Sequence, residues 1–214
     1  MATINKAIPV GRSYAIVPAA GRSRRMGQPK LLLPWGNWTL IDQLLQAWTS
    51  SAVDQIVVVV REDDRKLIAA CRKWPVHLVK PRSAPRDMKE SVQIGLRFVE
   101  EHWRPTDEDR CFIAPADLPG LTSTIINRLI ETKGDCSTVT IPKFGNRPGH
   151  PALLPWPVTQ QIFDLADDQG VNQVVDTNPQ YAVPFPADAY LPDVDTPQEY
   201  RSLLTEQKRS NNED

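Results

Sequence analysis

The sequence has few of the features that mark secreted, metal-cluster or nucleic-acid-binding proteins. It contains only three cysteines in 214 residues, Cys71, Cys111 and Cys136, and no CxxC pair. This odd number argues against a disulfide framework or a structural zinc site, and it is typical of a reducing compartment. The formal net charge is −1, so the chain has no general basic field with which to hold nucleic acid.

Long apolar segments are absent as well. No stretch approaches the roughly 18 apolar residues that cross a membrane, and the N-terminal stretch MATINKAIPVGRS lacks the apolar core of a signal peptide. We therefore expect a cytoplasmic protein with no membrane partner. The contents of hydrophobic residues (41%) and charged residues (24%) are ordinary for a globular protein. We predict one domain over residues 13–204, with flexible ends at 1–12 and 205–214.

Short apolar runs alternate along the chain with helical patterns. The clearest run is Ile56 to Val60, five consecutive β-branched residues, which predict a strand covered on both faces within a parallel sheet. The other predicted strands are 14–17, 76–79, 111–114 and 138–141, and the predicted helices are 40–48, 63–73, 88–101, 123–132 and one beginning at Thr196. This order predicts a single α/β domain with a mostly parallel central sheet flanked by helices. After Pro142 we expect shorter elements that cover the open end of the sheet.

A basic loop, VPAAGRSRRMGQPK, follows the first predicted strand. It places Arg22, Arg24, Arg25 and Lys30 within ten residues, at the strand end where open α/β sheets bind ligands. Arginine and lysine hold phosphate oxygens through charge-assisted hydrogen bonds, so a triphosphate is the favoured ligand. The alternative is a solvated, arginine-rich surface loop. The spacing matches neither a Walker A loop nor a GxGxxG dinucleotide motif.

The segment GRSRRMGQPKLLLPWG resembles the signature of GT-A-type nucleotidyltransferases, and among them that of molybdenum cofactor cytidylyltransferases. The resemblance implies a GT-A-like fold in which the loop wraps a triphosphate. It also implies that the Arg before Met and the following Lys, here Arg25 and Lys30, contact the phosphates and act in catalysis. The nucleotide-binding residues expected on this basis are Ala19, Ala20, Gly21, Arg22, Ser23, Arg25, Lys30 and Ser91.

Two later motifs, PADLPG and DVDTPQEY, carry carboxylates. Mg²⁺ favours a few carboxylates together with substrate phosphates, and Asp117 with Asp195 would form such a pair. Taken alone, Asp117 could form a turn and Asp195 could stabilise a helix N-terminus. The resemblance covers both motifs almost letter for letter, down to Tyr200, and it implies that these two aspartates hold the metal.

Two further segments resemble the same family. RDMKESVQIGL resembles a helix entry whose serine lies near the nucleotide, which implies Ser91, although a surface hydroxyl on a helix is an equal alternative. PGHP resembles a segment on the acceptor side, which implies His150. A purely structural histidine is the equal alternative there.

The implied reaction is transfer of CMP from CTP to the terminal phosphate of molybdenum-carrying molybdopterin, with release of pyrophosphate. The implied partners are CTP, a molybdopterin-type acceptor and a molybdoenzyme or its maturation chaperone. Several alternatives stay open. The segment VPAAG, with Pro18, resembles that of methylerythritol phosphate cytidylyltransferases, and a sugar-phosphate cytidylyltransferase is a further alternative. A molybdenum cofactor guanylyltransferase would share most of the motifs. A non-catalytic nucleotide-binding protein would bind CTP without releasing pyrophosphate.

Overall fold

The computed structural model describes residues 11–132, 137–190 and 192–210, the last five of them through their backbone alone. Cys136, most of the predicted N-terminal end and residues 211–214 therefore lie outside the described residues. The strands are β1 Ser13–Pro18, β2 Pro34–Trp35, β3 Trp38–Thr39, β4 Gln55–Val59, β5 His77–Val79, β6 Arg110–Ile113, β7 Val139–Phe144, β8 Arg147–Pro148, β9 Ala152–Pro155 and β10 Gln180–Phe185. The helices are α1 Leu40–Thr49, α2 Arg65–Cys71, α3 Met88–Trp103, α4 Ser123–Glu131, α5 Trp156–Thr159, α6 Asn172–Thr177 and α7 Pro197–Ser210.

The central sheet has the strand order β10-β7-β9-β6-β1-β4-β5, and β8 pairs with β7. Neighbouring strands on this path run parallel except at β9, which is antiparallel to both of its neighbours. The prediction of a single α/β domain with a mostly parallel sheet flanked by helices is confirmed.

Strand β1 shows why both faces of the sheet need helices. Ala15 and Val17 pack into the cluster that includes α1 and α4, whereas Tyr14 and Ile16 pack into the cluster that includes α3. All four side chains are fully buried. Burying a large apolar side chain contributes about 1.5–3 kcal/mol, so a strand that is apolar at every position is stable only between two helical layers.

Capping residues set where two helices begin. The Thr39 side chain accepts a hydrogen bond from the backbone N–H of Asp42, and the Asp42 side chain accepts one from the N–H of Thr39. At α7, Glu199 Oε2 accepts from the Thr196 N–H (2.8 Å), and Thr196 Oγ1 accepts from the Glu199 N–H (3.2 Å). Both pairs are capping boxes, in which the N-cap side chain and the side chain three residues later each accept from the other residue's backbone N–H. Helix α7 continues to Ser210, six residues beyond the predicted end of the domain at residue 204.

The region after Pro142 differs from the prediction. Strand β9 does not cover the open end of the sheet; it is inserted between β6 and β7, with all four of its residues buried. Strand β10 then pairs in parallel with β7 at the sheet edge. A four-residue apolar run such as ALLP is too short for its periodicity to separate a strand from other buried structure, which is why the pattern missed it.

Across the described ranges, no helix is both long and apolar enough to cross a membrane.

Candidate active site

The loops that follow β1, β4 and β6 meet at one end of the sheet, beyond the carboxyl ends of these strands, because the strands are parallel. The Ala19 N–H donates to the Val59 carbonyl (2.8 Å), and the Ala114 N–H donates to the Ile16 carbonyl (3.2 Å). The strand pairing thus continues into the loops. It brings the basic loop, Arg61 and the PADLPG turn to the same end of the sheet.

The basic loop is a compact turn. A short 3₁₀ helix, Arg24–Met26, lies between Ser23 and Gly27, whose φ angles are 48° and 66°. The left-handed conformation at Gly27 is one that glycine adopts without the steric cost of a side chain. Ser23 Oγ accepts a hydrogen bond from the Lys30 N–H (3.2 Å), so the turn fixes the backbone from which Lys30 projects. A side chain added at Gly21 would meet no atom within 4 Å, so the backbone there faces open space.

Lys30, Asp117 and Asp195 converge at the centre of the site. The Lys30 ammonium donates hydrogen bonds to Asp117 and to Asp195 Oδ1, the latter at 3.2 Å. Arg25 Nη1 lies 2.9 Å from Asp195 Oδ2. The side chains of Lys30 and Asp117 are only 14% and 13% exposed, so their mutual attraction is screened less than that of a surface pair. Two cations and two carboxylates neutralise one another here.

A small apolar cluster holds the basic loop against the DVDTPQEY motif. It contains the buried side chains of Met26, Leu33, Trp35, Leu40, Val194 and Leu203. The Val194 N–H also donates to the Asp117 carbonyl (3.2 Å), and the Tyr200 hydroxyl donates to the Pro34 carbonyl. Buried Met26 and Val194 are the sequence neighbours of Arg25 and Asp195. The motifs RM and DVD therefore each bury one residue and place an adjacent residue in the site.

The carboxylate pair fits a divalent metal that binds together with a nucleotide. Asp117 and Asp195 both accept hydrogen bonds from the Lys30 ammonium, so the two carboxylates can contact one cation at the same time. Among the described residues, no group of three or more His, Cys, Asp or Glu is placed to hold a metal. Magnesium sites that use one or two carboxylates and complete their coordination with substrate phosphates and water need no third protein ligand.

Two cavities adjoin this centre. The larger, of about 330 Å³, lies between the basic loop and α2, and its lining includes Arg22, Arg24, Lys30 and Arg61. The smaller, of about 140 Å³, has a lining that includes His150, Tyr190 and Asp193. The first has a strongly cationic wall and the second a mixed aromatic and polar wall, so they suit ligands of different chemistry.

His150 lies in the wall of the smaller cavity and keeps part of its surface exposed. Loss of water around the imidazole lowers the pKa of His150, while the carboxylates of Asp193 and Asp117 act in the opposite direction. A lowered pKa favours the neutral imidazole at neutral pH, which can donate or accept a hydrogen bond toward the cavity.

Ser91 is not brought to the basic loop by any contact among the described residues. Its side chain is 3% exposed, and its hydroxyl donates to the Asp87 carbonyl one turn earlier in α3 (3.0 Å). The hydroxyl is therefore buried and bonded within α3, so it is not the surface hydroxyl of the alternative interpretation, and the proximity of Ser91 to a nucleotide stays a prediction. Conversely, Arg61 contacts the loop directly, and the sequence analysis did not identify it. A signal was present, since Arg61 follows a buried strand at the ligand-binding edge.

Comparison with known proteins identifies relatives that are named as molybdenum cofactor nucleotidyltransferases. The chain is 23% identical over 185 residues to the molybdenum cofactor cytidylyltransferase of Escherichia coli K12, a match that covers 86% of this chain and 92% of the relative. It is 25% identical over 156 residues to a probable molybdenum cofactor guanylyltransferase of Bacillus anthracis, covering 72% of this chain and 74% of the relative.

A solved structure extends the likeness to three dimensions. The crystal structure of Rv0371c from Mycobacterium tuberculosis H37Rv is 26% identical, with a TM-score of 0.76, and the match covers 92% of this chain and 100% of that one. A further crystal structure of the same mycobacterial protein is a complex with manganese. The family described as the MobA-like NTP transferase domain matches residues 15–183. Because this match covers most of the sequence, the chain belongs to the MobA-like NTP transferase family and is a nucleotidyltransferase by fold and descent.

Proposed function

We propose that the protein transfers CMP from CTP to the terminal phosphate of molybdenum-carrying molybdopterin and releases pyrophosphate. The main observation that supports the proposal is that Lys30, Asp117 and Asp195 converge beside the basic loop. A cationic loop next to a carboxylate pair can bind a polyphosphate and its metal together. The relatives named as molybdenum cofactor cytidylyl- and guanylyltransferases support the acceptor class.

The triphosphate of CTP would bind along the basic loop. The backbone of residues 19–23 would lie close to the triphosphate, because the space in front of Gly21 is open. Lys30 and Arg25 would exchange their carboxylate partners for phosphate oxygens. Such an exchange keeps every cation paired, so it avoids the large free-energy cost of leaving a partly buried charge without a partner.

The carboxylates that the exchange releases would hold Mg²⁺. Asp117 and Asp195 are the residues proposed for this role, and the manganese complex of the mycobacterial relative supports a divalent metal in this family. When bound, the metal supplies positive charge that neutralises the phosphates around the reacting α-phosphorus.

The acceptor phosphate needs no general base. The second pKa of a phosphate monoester is about 6, so at pH 7 the attacking oxygen is mostly ionised. That oxygen forms a bond to the α-phosphorus of CTP, the bond from the α-phosphorus to the α,β-bridging oxygen breaks, and pyrophosphate leaves. Lys30 and Arg25 would stabilise the charge on this leaving group. Positioning and electrostatics are the main contributions that a protein makes to such chemistry.

The smaller cavity is the proposed acceptor site. It is lined by Leu118 and Asp193, which are close in sequence to the two metal-site aspartates. Its walls include the rings of Phe144 and Tyr190, whose centroids are 5.6 Å apart, and the Arg147 guanidinium lies 5.7 Å from the Tyr190 ring centroid. Aromatic walls suit the flat pterin, and His150 is proposed to hydrogen-bond to it. The proposal includes a cytoplasmic location and delivery of the product to a molybdoenzyme or its chaperone.

Pyrophosphate release tests this function when CTP and GTP are each supplied alone, with molybdenum-carrying molybdopterin or with methylerythritol phosphate, and calorimetry measures CTP binding in parallel. The proposal expects release that depends on the acceptor and is faster with CTP. Faster release with GTP would indicate a guanylyltransferase, and release only with methylerythritol phosphate would change the acceptor. Binding of CTP without release under any condition would indicate a non-catalytic nucleotide-binding protein.

A further inference from the structure

The guanidinium of Arg61 contacts the backbone of the basic loop. Arg61 lies two residues after the end of β4, and its side chain is 13% exposed. Its Nη1 donates to the carbonyl oxygens of Ala20 (3.1 Å) and Gly21 (2.9 Å). One side chain therefore holds two consecutive peptide groups of the loop that is proposed to bind the triphosphate.

The remaining contacts of Arg61 neutralise its charge. Its Nε donates to Asp63 Oδ1 (2.9 Å), and its Nη2 donates to Asp64 Oδ2 (3.0 Å). Four of the five guanidinium N–H donors thus point to protein acceptors in the described structure. With two carboxylates beside it, Arg61 offers little free charge to a phosphate, in contrast to Arg24, whose side chain is exposed.

The two carbonyl contacts also fix the direction of two N–H groups. In a planar trans peptide the C=O and N–H bonds point in opposite directions. Because Arg61 holds the carbonyls of Ala20 and Gly21, the N–H groups of Gly21 and Arg22 face away from its guanidinium. Successive N–H groups on one side of a turn form an anion-binding concavity, and the space next to Gly21 is open.

Rigid elements fix Arg61 itself. The Ala19 N–H is bonded to the Val59 carbonyl, so the loop starts in register with β4. Asp64, which holds Nη2, also caps α2 by accepting from the Leu67 N–H (3.1 Å). Arg61 therefore connects the loop backbone to the end of a strand and to the start of a helix.

From these contacts we infer that Arg61 is a positioning residue for the polyphosphate of the nucleotide. It acts through the loop, by holding the N–H groups of Gly21 and Arg22 toward the phosphates, and not by contacting them. The inference rests on the proposed function, since it requires that the loop bind a nucleoside triphosphate.

The test is calorimetric binding of CTP, inorganic triphosphate and CMP, each with Mg²⁺, to the wild type, Arg61→Met and Arg61→Lys. Arg72→Met, which replaces an exposed arginine at the end of α2, is the matched control. Loss of a pre-organised loop should weaken CTP and triphosphate binding by about tenfold or more, with CMP binding within about threefold of wild type. Arg61→Lys should resemble Arg61→Met, because an ammonium lacks the planar fork that holds both carbonyls. Amide hydrogen exchange at Gly21 and Arg22 should be faster in both variants.

Unchanged CTP and triphosphate affinities in folded Arg61→Met would overturn the inference. So would an equal loss of CMP and triphosphate binding, which would indicate general loosening of the site. If Arg61→Met does not fold, Arg61→Lys decides by the same criteria. A wild-type protein that binds neither CTP nor triphosphate would instead contradict the proposed function, and the inference with it.

Discussion

The ammonium nitrogen of Lys30 lies 3.2 Å from Oδ1 of Asp195, although the two residues are 165 positions apart in the sequence. The same ammonium donates to Asp117. A cation proposed for phosphate thus holds together the two carboxylates proposed for metal. The site is neutral as it stands, and a metal–triphosphate complex brings the opposite partner for each of these charges.

Replacing Lys30 or Arg25 by alanine should reduce pyrophosphate-releasing turnover, and Lys30→Ala should also lower stability because it removes the cation next to the largely buried Asp117. Losing one charge-assisted contact to phosphate costs about 1.5–3 kcal/mol, a fall of roughly 10–150-fold. Steady-state kinetics and thermal melting measure the two effects. Lys66→Ala, on the exposed face of α2, is the control. Wild-type turnover in a folded Lys30→Ala or Arg25→Ala variant would refute the phosphate role of that residue.

Asp117→Asn and Asp195→Asn should each abolish turnover at low magnesium, with little change in fold. The amide keeps the shape of the side chain but loses the charge that a hard cation requires. A magnesium titration of turnover measures this, with Asp107→Asn as an exposed control. An aspartate whose asparagine variant keeps full activity at low magnesium does not belong to the metal site.

Features that depend on neighbouring residues in the sequence could be predicted, whereas features that depend on contacts between distant parts of the chain could not. Runs of β-branched residues predicted β4, and helical patterns predicted α1 and α7 near their observed starts, because these signals are local. Strand β9 was missed, since its burial depends on neighbours at Phe112 and Thr140.

The same limit applies to the site. Motifs that resemble a known family identified Lys30, Asp117 and Asp195, and the structure brings the three together. The contact of Arg61 with the loop carbonyls depends on how β4 lies beside β1, which no local pattern contains. Ser91 matched a motif, yet its hydroxyl is bonded within its own helix.

Tyr14 should make stability depend on alkaline pH. Burial of its ring, aided by the nearby Asp109 carboxylate, raises the pKa of Tyr14 from 10.0 to about 12. The folded state therefore binds this proton more tightly than the unfolded state. The resulting stabilisation is complete below pH 10 and is lost as pH rises from 10 to 12, by about 2–3 kcal/mol at most.

Urea unfolding of wild type and Tyr14→Phe between pH 8 and 11.5 measures this term as the difference between the two proteins. The advantage of the wild type should be largest at pH 8 and should shrink above pH 10. Tyr181→Phe, at a side chain that is 51% exposed, should show no such trend. A difference between wild type and Tyr14→Phe that stays constant over this range would contradict the prediction.

CTP should be preferred to GTP, and Ala20 should contribute to the preference. Its methyl group is buried, with 6% exposure, and it restricts the backbone from the φ > 0 region that glycine enters freely. One methyl group gives only about 1–3 kcal/mol of discrimination, so we expect a preference and not exclusion. Rates with the two nucleotides at equal concentration should move toward GTP in Ala20→Gly. A wild type that uses GTP as well as CTP would leave only the broader nucleotidyltransferase assignment.

The fate of the α-phosphorus tests the proposed reaction most directly. The protein is incubated with Mg²⁺, molybdenum-carrying molybdopterin and CTP labelled either at the α-phosphorus or at the γ-phosphorus. Transfer of CMP predicts that the α-label appears in the pterin product and the γ-label in pyrophosphate, in equal amounts and only when the acceptor is present. Appearance of the α-label as free CMP, or its retention in CTP when the acceptor is present, would contradict the account.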